Sequence, residues 1–273
     1  MNPSMVNLQI LNAVALVTLN SSQNRNALSP NLKQQLSEVV KKISFDESIR
    51  AVVLTGAHGV FSAGGDLRSI AQNRGFDGKQ WREYIHQSYH WLRALAQLEK
   101  PLIAAVDGPA FGAGFSLALT SDIILVSPNA RFCMSFMKLG LVPDCGATYL
   151  LPRFVGFQRA RELMLSAREI NAEEAVTLNV ALQVVPADQL LQSALAMAST
   201  FTNASPLSVS LLKRLTEDAG QFERALDAEA NAQSLAFLSS DHQRSLDKFL
   251  NKEPLDFSWP DRGQFYGLPN EQV

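Results

Sequence analysis

The sequence predicts an α/β chain built on a mostly parallel sheet, followed by a helical C-terminal region. Three observations carry this. AVVLTG (Ala51 to Gly56), LIAAV (Leu102 to Val106) and IILVS (Ile123 to Ser127) are continuous apolar runs of strand length, as strands covered on both faces should be. Segments with helical spacing alternate with them, which implies crossover connections between parallel strands. From Gly146 onward the chain is mostly helix, with QVV (Gln183 to Val185) as the clear further strand.

In chain order, Leu8 to Ile10 and Ala13 to Leu19 are two β-type runs joined by Leu11-Asn12, a hairpin pattern. The polar stretch SSQNRNALSP follows. Ser29 then reads as an N-cap with Pro30 at the first helical position. Leu32, Leu36, Val39, Val40 and Ile43 keep helical spacing, so this helix lays one apolar stripe on a sheet. After the first buried strand comes a glycine-rich loop, AHGVFSAGGDL. The segment from Lys79 to Lys100 reads as one long amphipathic helix stopped by Pro101. The pattern repeats with LIAAV, the loop DGPAFGAG, a helix FSLALTS and IILVS, and the β signal fades after Arg131 to Met134. Helices are expected over Ala187 to Thr202, Pro206 to Ala219, Phe222 to Ser239 and Asp241 to Asn251, and DFSWPDRGQFYGLPNEQV reads as a loose tail. The expected division is a site-bearing core, residues 1–200, and a helical region with its tail, residues 201–273.

Composition narrows the function. At 273 residues and 47% apolar, burial can offset the entropy of ordering the chain, so disorder is excluded. The 18% of charged residues is low against about 25% in typical soluble proteins. That points to surface buried between subunits. Twenty-four basic against 26 acidic residues leave −2, with no basic footprint for nucleic acid. Cys133 and Cys145 offer neither a disulfide framework nor zinc spacing. The start lacks the positive region of a signal peptide, and no run reaches the roughly 18 apolar residues of a membrane span. A soluble cytoplasmic protein is the expectation.

Several patterns bear on chemistry. Gly112 and Gly114 begin a dinucleotide fingerprint, but Leu117 stands where its third glycine belongs and Phe132 where a ribose-binding acid is expected. GFSLA (Gly114 to Ala118) approaches a nucleophile elbow, and Asp144 and His242 follow Ser116 in hydrolase order. Two glycine-bearing loops at the ends of consecutive buried strands say more: FSAGGDL (Phe61 to Leu67) and GPAFGAG (Gly108 to Gly114). Ligands bind outside the carboxyl ends of parallel strands. Glycine lets backbone amides approach closely, so two such loops can aim two N–H groups at one oxygen.

FSAGGDL, then IAAVDGPAFGAGFSLALTSDIILVS, then ARFCMSFMKLGLVPDCGATYLLPRFVG resemble the crotonase (enoyl-CoA hydratase/isomerase) superfamily, in that order, within a likeness running from Leu8 to Asn251. The resemblance implies an α/β spiral of ββα turns with a C-terminal helical trimerisation region, hence a homotrimer or hexamer. It implies a coenzyme A thioester as substrate, no metal and no redox cofactor, coenzyme A being part of the substrate. The oxyanion-hole donors would be the backbone amides of Gly65 and Ala113.

The departures bear on the reaction. Hydratases of this family hold water between two glutamates, and the matching positions here are Ser116 and Phe136. Neither can move a proton, and general acid/base work needs a group that changes protonation within reach. Asp144, in GLVPDCG, supplies a carboxylate. It reads locally as the N-cap of a helix starting at Cys145-Gly146-Ala147, and lies among Met134, Phe136, Met137, Leu139, Leu141 and Val142, a lining suited to an acyl chain. Isomerases of the superfamily use a single acid, and LGLVPDCG with LLPRFVG particularly resembles those of phenylacetate catabolism that act on an epoxide. A helix start would depress the Asp144 pKa and an apolar pocket would raise it. For the coenzyme A end, the resemblance implies backbone contacts at Arg25, Ala27 and Leu28, with Arg25 near phosphate, and contacts along Ala63, Gly64, Asp66 and Leu67. Lys252 resembles a basic residue that reaches coenzyme A from a neighbouring subunit, although Glu253 occupies the usual second basic position. The expected function is therefore an enoyl-CoA isomerase. The alternatives are a hydratase with a non-standard base, a non-catalytic acyl-CoA or RNA binder, and a serine hydrolase.

Overall fold

The computed structural model describes residues 4–216 and 218–260. Strands β1 (Val6–Leu11) and β2 (Val14–Leu19) form the antiparallel hairpin, turning at Asn12 and Ala13, both at positive φ. Ser29 caps helix α1 (Pro30–Phe45) by accepting from the Leu32 amide, and Leu32, Leu36 and Ile43 are fully buried. Strand β3 (Ala51–Gly56) pairs parallel with β2. Helix α2 (Leu67–Gln72) follows the first glycine loop.

The long helix expected from Lys79 to Lys100 is two helices, α3 (Gly78–Ser88) and α4 (His90–Ala96). The Tyr89 amide steps back three residues to the His86 carbonyl (3.3 Å), which tightens the winding while the Tyr89 ring is buried. The break lets the two halves bury against different partners, α3 on the C-terminal helices and α4 on α1.

Strand β4 (Leu102–Val106) continues the sheet. The stretch read as the loop DGPAFGAG contains a short strand, β5 (Pro109–Phe111), before helix α5 (Ala113–Leu119). Strands β6 (Ile123–Val126) and β7 (Arg131–Cys133) follow, then α6 (Ala147–Val155) and α7 (Phe157–Ser166). A strand that the pattern does not reveal, β8 (Glu169–Asn171), precedes α8 (Ala172–Thr177). Its three residues include one buried side chain, Ile170, too little for a periodic signal. Strand β9 (Gln183–Val184) and helices α9 (Leu190–Thr200), α10 (Pro206–Thr216), α11 (Ala219–Leu238) and α12 (Ser240–Leu250) complete the described chain. The expected tail beyond residue 260 lies outside the described residues.

The main sheet has the order β1-β2-β3-β4-β6-β9, parallel except for the hairpin, and β5, β7 and β8 form a second, smaller sheet. Alternation along the main strands divides their side chains between two cores. Val17, Val52, Leu54 and Ala104 face α1 and the site. Val14, Val53, Ile103 and Leu125 pack on Leu190, Ala194 and Ala198 of α9. Among the described residues no helix is long and apolar enough to cross a membrane.

Candidate active site

The two glycine loops are stitched to each other. The Ser62 amide donates to the Pro109 carbonyl (3.0 Å) and the Phe111 amide to the Ser62 carbonyl (3.0 Å), while Leu28 N–H binds the Gly64 carbonyl at 2.7 Å. Gly64 has φ +95°, and a Cβ there would lie 2.4 Å from the Phe111 carbonyl oxygen. Gly114 meets the other loop equally closely, since a Cβ on it would fall 2.5 Å from the Ser62 oxygen. Glycine at both positions is what lets the loops touch. This close fit puts the Gly65 and Ala113 amides on one cavity wall, and neither donates a hydrogen bond within the described residues. A pair of unspent N–H groups at one cavity is a place where oxygen can gain negative charge.

Asp144 lines the same cavity. The structure corrects its reading as an N-cap: Gly146 occupies the cap of α6. The helix start is satisfied instead by Glu229 of α11, which accepts from Gly146 N–H (2.7 Å), Thr148 N–H (2.9 Å) and the Thr148 hydroxyl (2.5 Å). The Asp144 carboxylate is therefore free of the helix and lines the cavity. Its Oδ2 accepts from Gln233 Nε2 at 3.1 Å. Burial raises its pKa above the ordinary aspartate value, against the opposing pull of the Cys145 thiol, the Gln233 amide and the Lys33 ammonium. Burial likewise pushes Glu229 up to about 7, with the Asp144 charge adding to it. The Lys33 side chain also faces the cavity, its ammonium 5.6 Å from the centre of the Tyr84 ring.

The cavity has a volume of about 570 Å³. Of the residues singled out in the sequence, Arg25, Ala27, Leu28, Ala63, Gly65, Asp66, Leu67, Ala113, Phe136, Leu141 and Asp144 line it. Asp66 also caps α2, its carboxylate accepting from Arg68 N–H (3.2 Å) and the Ser69 hydroxyl (2.7 Å). Four positions do not line it. Gly64 is turned into the junction between the loops. Ser116 is fully buried beneath the wall, where its hydroxyl donates to the Asp144 carbonyl at 2.9 Å. Val142 is held by its amide on Gln233 Oε1 (3.1 Å), away from the lining. Lys252 lies exposed just beyond α12, off the cavity of its own chain.

The serine-hydrolase constellation does not assemble. His242, in the first turn of α12, is fully buried, and its Nδ1 meets the Leu139 carbonyl at 2.8 Å rather than Ser116. Phe132, at the place of a ribose-binding acid, packs in the core with its ring centre 4.8 Å from that of Phe115. Sequence reasoning missed Lys33, Tyr84, Glu229 and Gln233. Lys33 and Tyr84 sit beside apolar stripes that read as core, so their exit into the cavity was detectable only as a polar residue at the stripe's edge. Glu229 and Gln233 lie 83 and 89 residues from the groups they bind, and nothing local marks them.

Two unspent amides and an acid lining one cavity, on this fold, define an enzyme of the crotonase superfamily. The chain belongs to the enoyl-CoA hydratase/isomerase family, whose pattern matches residues 9–262. It is similar to 1,2-epoxyphenylacetyl-CoA isomerase of Escherichia coli (strain K12), 36% identical over 248 residues that span 90% of this chain and 95% of the relative. It is also similar to short-chain-enoyl-CoA hydratase of Clostridium acetobutylicum, 32% identical across 89% of this chain and 93% of the relative. The crystal structure of an enoyl-CoA hydratase/isomerase from Pseudoalteromonas atlantica T6c superposes with a TM-score of 0.84 at 29% identity, covering 93% of this chain and 100% of that one. A second, from Cupriavidus metallidurans CH34, has 36% identity and a TM-score of 0.75 over 96% of this chain and 99% of its own. The relatives carry isomerase and hydratase names alike, so the choice of reaction rests with the site's own residues.

Proposed function

We propose that the protein is an enoyl-CoA isomerase that moves a double bond, or opens a strained ring, next to a coenzyme A thioester. One observation carries the reading: Asp144 is a cavity-facing carboxyl free of any cap, while Ser116 and Phe136 stand where hydratases of the family hold their acids. The Gly65 and Ala113 amides bind the thioester oxygen as it becomes an enolate. Asp144 breaks a C–H bond at carbon 2 and takes the proton. The electron pair moves into the enolate, the double bond shifts toward the thioester, and Asp144 returns the same proton to carbon 4. Charge is conserved, and the transfer calls for neither a metal nor a redox group. Coenzyme A belongs to the substrate, with Arg25, Ala27, Leu28, Ala63, Asp66 and Leu67 along its path. A homotrimer or hexamer is part of the proposal. It is supported by α10, which buries none of its own residues and exposes Leu207, Leu211, Leu212 and Leu215. Lys252 then reaches a neighbour's coenzyme A.

The test is direct. Incubation with a 3-enoyl-CoA should produce the absorbance of a conjugated thioester, and crotonyl-CoA should be hydrated far more slowly. Hydration of crotonyl-CoA at about 10 s⁻¹ or faster would make the protein a hydratase with another base.

A further inference from the structure

We infer that Gln233 is the positioning residue of the cavity's acid, its Nε2 holding the Asp144 carboxylate while its Oε1 fixes the backbone two residues earlier. The inference rests on the reading of Asp144 as the proton shuttle, and it follows from which groups can donate. The Val142 amide is a donor only, so the Gln233 atom 3.1 Å from it must be the carbonyl oxygen. The other end of that side chain is then the NH₂ group, and it faces Asp144 Oδ2 at 3.1 Å. Flipping the amide would set N–H against N–H at one end and oxygen against oxygen at the other. Gln233 is 1% exposed, so a bond lost at either end leaves a buried polar group without its partner. One planar amide thereby ties Val142 and Asp144 of one loop to a single helix, α11, with Asp144 in the cavity lining.

Glutamine suits this task because it is neutral. An arginine or lysine at the same place would hold the carboxylate as an ion pair and weaken it as a base. Among the described residues, the titratable groups that act on Asp144 or feel its charge are Lys33 from α1, Tyr89 between α3 and α4, the adjacent Cys145, and Glu229 on α11. Against that background the amide is the neutral donor that keeps one oxygen in place.

Two variants separate the amide's two jobs. Gln233→Glu keeps an acceptor for the Val142 amide, but it replaces the donor with a second carboxyl against Asp144. Two carboxyls at that spacing share a proton and titrate as a pair, with the upper step raised. Gln233→Leu loses both bonds. Ligand-free enzyme with ¹³C-labelled aspartate carboxyls, assigned with Asp144→Asn, gives the titration without reference to turnover. In Gln233→Glu the Asp144 titration and the acid limb of kcat/KM should both move to higher pH. Its kcat should fall about tenfold or more, with KM little changed and the melting temperature near wild type. Gln233→Leu should also melt lower. Titration and acid limb unchanged in both variants would overturn the inference and leave Gln233 a scaffold contact. Wild-type enzyme inactive on 3-enoyl-CoA, with the titration still shifted in Gln233→Glu, would sustain the clamp and reject the isomerase reading instead.

Discussion

The two walls of the cavity are built by different means. The amide wall is made of backbone: two loops, each following a buried strand, pressed together because Gly64 and Gly114 have no side chain. The acid wall is made at long range, by α11, whose Glu229 caps the start of α6 and whose Gln233 holds Asp144. The first wall supplies backbone groups, which a side-chain replacement can displace but not delete. The second supplies one side chain whose placement depends on partners more than 80 residues away. Local chain geometry is enough to present a dipole, whereas poising an ionisable group needs an environment assembled from several elements.

The largest expected effect lies on the acid wall. Asp144→Asn keeps the size and the acceptor oxygen and removes the proton shuttle. Isomerisation should fall about 10²–10⁴-fold while acyl-CoA binding, measured by calorimetry, stays within a few-fold. Near-full activity in this variant would place the base elsewhere.

The amide wall is probed by Gly64→Ala. The new Cβ would fall 2.4 Å from the Phe111 oxygen at a backbone φ of +95°, so the loops must part and the Gly65 amide must move. Loss of one oxyanion donor typically costs about 10²–10³ in kcat. A variant with unchanged kcat would show that these amides do not carry the developing charge, and the comparison of the two walls would fail.

Glu229 tests stability on the acid side. Glu229→Ala leaves the buried Gly146 amide without a partner, and unfolding should become easier by about 1–3 kcal/mol, read from denaturant melts. Its pKa is raised by burial to about 7. A raised folded-state value means that the stabilisation is complete at pH below the unfolded value, about 4.3, and is lost as pH rises through about 7. Glu229→Gln removes this titration. The difference in melting temperature between wild type and Glu229→Gln should therefore shift toward the variant from pH 5 to pH 8. A constant difference would mean that Glu229 does not titrate there.

Ser116→Ala is the smallest change. The hydroxyl bonds the Asp144 carbonyl beneath the wall. Its loss should cost about 1 kcal/mol of stability and leave the rate within a few-fold. A collapse of activity in this variant would return Ser116 to the chemistry.

Legibility in the sequence divides along the same line. The continuous apolar strands, the Ser29-Pro30 helix start and the amide loops were all readable because each depends on neighbours in the chain. Asp144 was readable as the carboxyl of an apolar stretch, but its assignment as a helix cap was wrong. A cap can come from any element that reaches the helix end, and here Glu229 of α11 reaches it. Ser116 was expected in the pocket because its position along the family pattern is known; the inward turn of its side chain on α5 is not visible in that pattern. The break at Tyr89 escaped for a similar reason, since helical spacing continues on both sides and two different packing partners decide where it divides.

Residue order alone sets the alternation of strands and helices, the glycine-bearing loops at the ends of two consecutive buried strands, and the replacement of the two hydratase acids by Ser116 and Phe136. These are matters of residue type and local backbone conformation. Packing decides that the two loops touch, that Asp144 is released from the helix end, that Lys33 and Tyr84 face the cavity, and that Gln233 meets the carboxylate. Hydrogen bonding and desolvation act between whichever groups packing brings within a few ångströms, and chain order carries no measure of that distance.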